Sequence, residues 1–423
     1  MNTKIALFAV MLSGCVMADP AAISELTAKQ RWPWSAKVDI HFTVGAGDKA
    51  DVELAVTWDG HPEPLRLSPA NGLTGRSYGL SDESGHVVWD PCAAGFTNAL
   101  TGFKVTANAV SAADRTWLVI DLTDGSHEFF AVAPEGGWTA DVYKESKMVF
   151  RRVEGRTFTM GYTASQRGRC TSVGGPSDWH TKKWGNHQVT LSDDYYLAIY
   201  RVTNMQAHWI EHGSGYTPNA DVHKWRTGYG YGRSDYRGSP NAPDNVRWPD
   251  TGYRVTPNSL FGKLRIQTGN AFVIDLPTEA QWENAMRNGT TTLWDVGGDA
   301  DTITTEEFMA VVDRFVNFNS TEVGLKEAST LGFYDMYGRA LELCLDIWRD
   351  AISSAETDPV GPAYSTENTA LVARGMSNSM SYPNKIGWAV PAQRINYSRG
   401  AYRSGDYGEF VVRPCIHLNS VFE

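Results

Sequence analysis

Cysteine is scarce in this chain. There are five in 423 residues, at positions 15, 92, 170, 344 and 415. No two stand at zinc-ligand spacing, which excludes a cysteine-built structural zinc site. With Cys15 set aside, the other four permit two disulfides in an oxidising compartment, in three pairings. The expected bridge is Cys344 with Cys415, or Cys170 with one of them, while Cys92 stays reduced. Basic charge is short as well: Lys and Arg total 38 against 48 Asp and Glu, a net charge of −10. A nucleic-acid partner normally requires a basic stripe, so none is expected. No apolar run approaches the ~20 residues of a transmembrane helix. There is no Gly-x-Ser-x-Gly elbow for a serine nucleophile. Tyr229-Gly230-Tyr231-Gly232 lacks the Lys-Ser and helix start of a phosphate-cradling loop. It reads as part of an aromatic-lined loop over 227–237.

What is present is glycine and aromatic rings. The 40 Gly, 15 Trp and 12% aromatics fit a loop-rich globular fold, in which turns need Gly and rings fill gaps between short strands. The first 18 residues read as a signal peptide. Lys4 supplies the positive region and Ile5 to Leu12 the apolar one. Val16-Met17-Ala18 offers a cleavage site, with the mature chain starting at Asp19. Leu12-Ser13-Gly14-Cys15 is also similar to a bacterial lipobox (residues 12–15), which would place a lipid on Cys15. Either way the expected location is outside the cytoplasm: periplasmic, cell-surface or secreted.

Residues 21–145 are expected to form an immunoglobulin-like all-β sandwich. Val38 to Val44 alternates apolar and polar side chains, as do Val52 to Val56, Phe103 to Ala107 and Trp117 to Leu122. Period-two alternation with turn-rich gaps is the pattern of half-buried strands. Trp32-Pro33-Trp34 precedes the first of these strands. Its expected role is to plug the base of the sandwich, with carbohydrate stacking as the alternative. The Pro134-Glu135-Gly136-Gly137 turn and the Tyr143 to Ser146 stretch mark the expected boundary.

The remainder, 148–423, carries a series of motifs in order. Phe158-Thr159-Met160-Gly161 comes first, followed by His187-Gln188-Val189-Thr190-Leu191, Tyr195-Tyr196-Leu197 and Val202-Thr203-Asn204. Val246-Arg247-Trp248 precedes Leu276-Pro277-Thr278-Glu279-Ala280-Gln281-Trp282-Glu283-Asn284-Ala285. Val323-Gly324, Gly332-Phe333-Tyr334-Asp335-Met336-Tyr337-Gly338 and Arg374-Gly375-Met376-Ser377 complete the set. Thr278 and Gln281 stand in capping-box spacing, with acids near the positive end of the helix dipole. In this order the motifs resemble the sulfatase-modifying-factor family, also called the formylglycine-generating-enzyme family. The resemblance implies a C-type-lectin-like fold, and the whole chain an α+β class.

Active members of that family are copper oxidases, which hold Cu(I) on two cysteines a few residues after an Arg-Gly-Gly-Ser motif. The matching segment here, Met376 to Trp388, contains no cysteine. Oxygen ligands cannot replace soft thiolates for Cu(I), so copper is not expected and no catalytic residue is assigned. The implied function is a non-catalytic ligand-binding or interaction protein. The alternative is a formylglycine-generating or other metal-dependent oxidoreductase acting on a protein or thiol substrate. An iron-dependent branch of the family carries its histidines in a preceding helical domain, whereas the segment here is strand-rich. His208-Trp209-Ile210-Glu211-His212 fits the H-x-x-E-H pattern. Gly213, Gly215 and Pro218 end that helix at once, and no third ligand stands out, so it is taken as a family helix with both histidines on one face.

The resemblance also implies a calcium site beside the strand holding Glu342, a hard carboxylate ligand. The family's asparagine after the glycine is Arg339 here, and the competing expectation is a salt bridge to Glu342 or Asp346. Residues 376–407 are dense in Asn, Ser, Tyr, Arg and Gly, the composition of adaptable binding surfaces. Trp388, Tyr397, Tyr402, Arg403 and Tyr407 are the expected contacts for a protein or carbohydrate ligand. Tyrosines would act as rigid anchors and Arg403 as a charged donor.

Overall fold

The computed structural model describes residues 22–177, 185–213, 222–224, 255, 257–350, 354–362, 371–376, 386–397 and 410–418. Strands β1 (Ile23–Gln30), β2 (Val38–Val44), β3 (Ala50–Trp58), β4 (His61–Arg66), β5 (Leu73–Gly75), β6 (Glu83–Trp89) and β7 (Lys104–Ser111) come first. They form two antiparallel sheets, ordered β1-β2-β6-β5 and β4-β3-β7. The first matches the A-B-E-D sheet of an immunoglobulin-like sandwich, and the second places β3, β7 and β4 as C, F and C′. Alternation produces the core. Val38, Ile40, Phe42 and Val44 of β2 and Val87 and Trp89 of β6, neighbours in one sheet, share a core with Val52, Leu54 and Val56 of β3 in the other. The segments read as strands in the sequence are β2, β3 and β7. β1, with its polar Ser24-Glu25 start, was not legible, nor was β4, where Pro62 and Pro64 disguise an edge strand.

Trp117 to Leu122 departs from expectation. Strand β8 (Trp117–Asp121) pairs with β9 (His127–Phe130) and β10 (Lys147–Val153). Through β10 it joins the sheet of the C-terminal unit, so hydrogen bonding divides the chain after β7, upstream of the expected boundary near 145. The apolar run Leu118-Val119-Ile120, buried at all three positions, identifies a strand but not its partner.

The C-terminal unit adds β11 (Thr157–Gly161), β12 (Asn186–Thr190), β13 (Tyr195–Ala198) and β14 (Val273–Asp275). Then come β15 (Leu341–Ile347), β16 (Glu356–Thr357), β17 (Leu371–Arg374), β18 (Arg394–Tyr397), β19 (Phe410–Val411) and β20 (Cys415–His417). The sheets are β14-β20-β13-β10-β8-β9, β11-β12-β16 and β18-β17-β15-β19. Helices α1 (Val142–Glu145), α2 (Ala164–Ser172), α3 (Asn204–His212), α4 (Leu260–Gln267), α5 (Glu279–Arg287) and α6 (Thr305–Phe315) pack on them. The class is α+β. The cap read from sequence is present: Thr278 Oγ1 accepts the Gln281 N–H at 3.1 Å, and Gln281 Oε1 accepts the Thr278 N–H at 2.9 Å.

Charge joins the two units. Asp51 on β3 is buried and accepts two hydrogen bonds of 2.9 Å from Arg152 on β10, plus the Gly79 N–H at 3.0 Å. Arg152 also donates to Asp194 at 2.9 Å. Lys49 reaches Glu154 at 2.8 Å.

Candidate functional site

The polar centre of the C-terminal unit is Glu342. Strand β15 is buried along its whole length, and Glu342 is fully inaccessible within it. Arg201 Nε donates to its Oε1 at 2.7 Å and Arg413 Nη2 to the same oxygen at 2.8 Å. Arg413 Nε and the Trp282 indole donate to Oε2 at 2.9 and 2.7 Å. Burial alone would push this carboxyl up. The guanidiniums of Arg413 and Arg201 outweigh it and hold the group at about 2. The two arginines also cap loop carbonyls: Arg201 those of Asp335, Gly338 and Ala340, Arg413 those of Ala198, Ile199 and Tyr334.

This arrangement does not fit calcium. A hard dication needs six to eight oxygen ligands with free lone pairs, and here two cations already cover both oxygens. The Arg339 salt bridge is not the one formed: Glu342 pairs with Arg201 and Arg413, and Arg339 donates to the Phe318 carbonyl at 2.6 Å. No cluster of three or more His, Cys, Asp or Glu able to hold a metal occurs among the described residues. His208 and His212 do share a face of α3, with ring centroids 4.8 Å apart.

A second buried network positions the segment expected to bind ligand. Glu283 of α5 accepts Arg287 Nε at 2.7 Å, the Gly161 N–H at 2.8 Å, and Arg374 through its other oxygen. Arg374, which heads the Arg-Gly-Met-Ser motif, also lies over the Trp282 ring and donates to the Gln393 carbonyl at 3.1 Å. It thereby ties β17 to the start of β18. Gly375 follows with φ of +89°, a left-handed conformation, and a Cβ there would stand 3.0 Å from the Ala340 carbonyl. On β18, Arg394 donates to Glu279 at 2.7 Å and stacks 4.3 Å from the Trp348 ring.

Two of the five expected contact residues fall among those described. Trp388 ends a short 3-10 turn, Ile386–Trp388, and is half-buried against the core. That turn sits backbone to backbone on the end of α2. A Cβ on Gly387 would come 2.1 Å from the Cys170 carbonyl, and only glycine allows that approach. Tyr397 ends β18, the edge strand of its sheet, opposite Leu371. Tyr402, Arg403 and Tyr407 lie outside the described residues, as do residues 225–254 with the expected aromatic loop. Sequence reading missed the pairing of Arg394 with Trp348. An arginine three residues before a tyrosine on a short strand carries no signal until the fold places it over a ring.

The expected disulfides are absent among the described residues. Cys92 is exposed and free, and Cys170, Cys344 and Cys415 are buried and free. Cys344 lies on β15 and Cys415 on β20, in separate sheets. Their thiols approach the Glu342 carbonyl and Gln281 Oε1.

Comparison with known proteins gives one match. Residues 139–405 match the family model of the sulfatase-modifying factor enzyme 1-like domain. No curated protein and no solved structure matches the chain. A match over more than half of the sequence, on the fold described above, places the chain in the sulfatase-modifying-factor family.

Proposed function

We propose that this is an exported, non-catalytic, ligand-binding member of its family. Its C-terminal unit would capture a protein or carbohydrate through Trp388, Tyr397, Tyr402, Arg403 and Tyr407. The observation that carries this reading is the run from Met376 to Trp388, which has no cysteine where copper-holding relatives have two. The thiols that remain in the unit do not substitute. Cys170, Cys344 and Cys415 are buried, and burial pushes each well above the ordinary thiol range. A thiol held neutral is neither a ready nucleophile nor a thiolate ligand for Cu(I). Met376 is packed in the core, so its thioether serves as apolar volume.

The test is a Cu(I) competition against bicinchoninate, paired with an oxygen-uptake assay on a cysteinyl peptide. The expected result is that copper stays with the chelator and the peptide gains no aldehyde. Stoichiometric copper retention with aldehyde formation sinks the proposal. On the positive side, Tyr402→Ala and Trp388→Ala should each weaken capture on a protein and glycan array by about tenfold, the loss typical of a buried aromatic anchor.

A further inference from the structure

The end of the sandwich remote from the domain junction carries two tryptophans that its core does not absorb. Trp34 is 90% exposed and Trp32 48%. This overturns the expectation that the Trp-Pro-Trp cluster plugs the sandwich. The loop that bears them is tied down: Arg31 N–H donates to the Lys37 carbonyl at 2.8 Å, Trp34 N–H to the Arg31 carbonyl at 3.0 Å, and Gln30 Nε2 to the Ala36 carbonyl at 3.0 Å. β2 starts beside this loop and ends beside the junction loop holding Lys49. At about 3.3 Å per residue, its length puts roughly 20 Å between the tryptophans and the C-terminal unit.

A polar strip runs from the loop along the outer face of β1, β2 and β6. Arg31 forks onto Asp39 with two bonds of 2.7 Å. His86 meets Asp39 at 2.9 Å, and His41 stacks on His86 with ring centroids 4.2 Å apart and planes 5° from parallel. Thr43 continues the strip to Glu25 at 3.0 Å and Ser84 at 3.3 Å. Every one of these groups is at least partly accessible. Hydrogen-bonding side chains thus follow two exposed indoles along one sheet face.

We propose that this pole and strip form a second binding site, for an extended neutral polysaccharide. A sugar ring presents a C–H face that packs on an indole and a rim of hydroxyls that exchange hydrogen bonds with carboxylate, imidazole and guanidinium. Composition argues against a protein partner. Beyond the two tryptophans the strip is built of charged and polar side chains, whereas the centre of a stable protein interface is depleted of charge. Charge argues against an anionic membrane, which selects clustered Lys and Arg. Here the cations are matched: Asp39 pairs with Arg31 and Asp90 lies 3.9 Å from Lys37, while Lys29, opposite Asp39 on β1, is balanced by Glu25 of the same strand. The Arg31 hydrogen bonds also hold the Asp39 carboxyl far below its ordinary range.

Affinity electrophoresis of the full chain tests this, in native gels containing soluble mixed-linkage β-glucan, xylan or galactomannan. At least one polysaccharide should retard the wild type. Trp34→Ala should lose tenfold or more in affinity, Trp34→Tyr should keep part of it, and Asp39→Asn should lose a few-fold. Trp34→Ala should melt with the wild type, because the ring it removes stands in solvent. Asn108→Ala, at an exposed position on β7 of the opposite sheet, should bind the polysaccharide unchanged. No retardation by any of the three, retardation unaltered by Trp34→Ala, or Trp34-dependent binding to phosphatidylglycerol vesicles would each overturn it.

Discussion

The two units of this chain solve the burial problem in opposite ways. Apart from Asp51, Ser77 and Ser111, the side chains buried in the sandwich are apolar. Between residues 22 and 111, the one buried charge among those described is Asp51, and it belongs to the junction. The C-terminal unit buries Arg201, Glu283, Arg287, Glu342, Arg374 and Arg413, all essentially inaccessible. The cause is backbone. Long antiparallel ladders satisfy their own N–H and C=O groups, so alternating Val, Ile and Phe suffice between them. Short sheets joined by long loops leave carbonyls pointing inward. A guanidinium, with five donors and no acceptor, can satisfy several of them, and a buried carboxylate balances its charge.

If that contrast is right, the largest loss should come from Glu342→Gln. It leaves Arg201 and Arg413 buried without a counter-charge, and removing one partner of a buried pair costs about 3–5 kcal/mol. Urea unfolding followed by tryptophan fluorescence measures it. A change under 1 kcal/mol would show that the arginines are held by the loop carbonyls alone. The same variant sharpens the acid limb. The folded-state carboxyl, at about 2, lies below its ordinary 4.5. Its contribution is therefore complete above the unfolded value and is lost as pH falls from about 5 towards 2. Wild-type stability should fall across that window more steeply than that of Glu342→Gln.

Next in size is the junction. Asp51→Asn weakens the forked Arg152 contact, and a hydrogen bond to a charged group is worth about 1.5–3 kcal/mol. The comparison predicts an effect on the coupling of the units more than on either core. Scanning calorimetry should resolve two transitions in the variant where the wild type shows less separation. An unaltered trace would mean that the Asp51–Arg152 contact does not couple the two halves.

Legibility in the sequence follows the same divide. Strands β2, β3 and β7 were readable because period-two alternation is a local signal that needs no partner. The partner itself was not readable, so β8 was assigned to the wrong sheet. Glu342 was picked out by its motif, but its true partners lie 141 and 71 residues away. The adjacent Arg339, the natural guess along the chain, turns instead to Phe318. The Trp-Pro-Trp loop misled because large rings are usually buried, and exposure is set by where a strand ends in space. For the candidate site, Trp388 and Tyr397 were proposed from composition alone, whereas Arg394 over Trp348 depends on a fold-level meeting of β18 with the end of β15.

The smallest expected effect tests the most legible feature. Thr278 and Gln281 close the α5 cap reciprocally; Thr278→Ala frees the Gln281 N–H, while Gln281 Oε1 keeps the N–H of residue 278. Cap removal costs typically about 1 kcal/mol. Here the cap sits between Asp275, at the end of β14, and Glu279, whose own N–H donates to Asp346 at 2.6 Å and whose carboxylate accepts Arg394. If the helix start is held mainly by its local box, Thr278→Ala should cost that amount and Thr278→Ser almost nothing. If the buried ion pairs dominate this unit, as its contrast with the sandwich implies, Thr278→Ala should cost less than a third of Glu342→Gln. A cap effect equal to the charge effect would mean that α5 is anchored by sequence-local bonds. The division between the two units would then be one of strand length only.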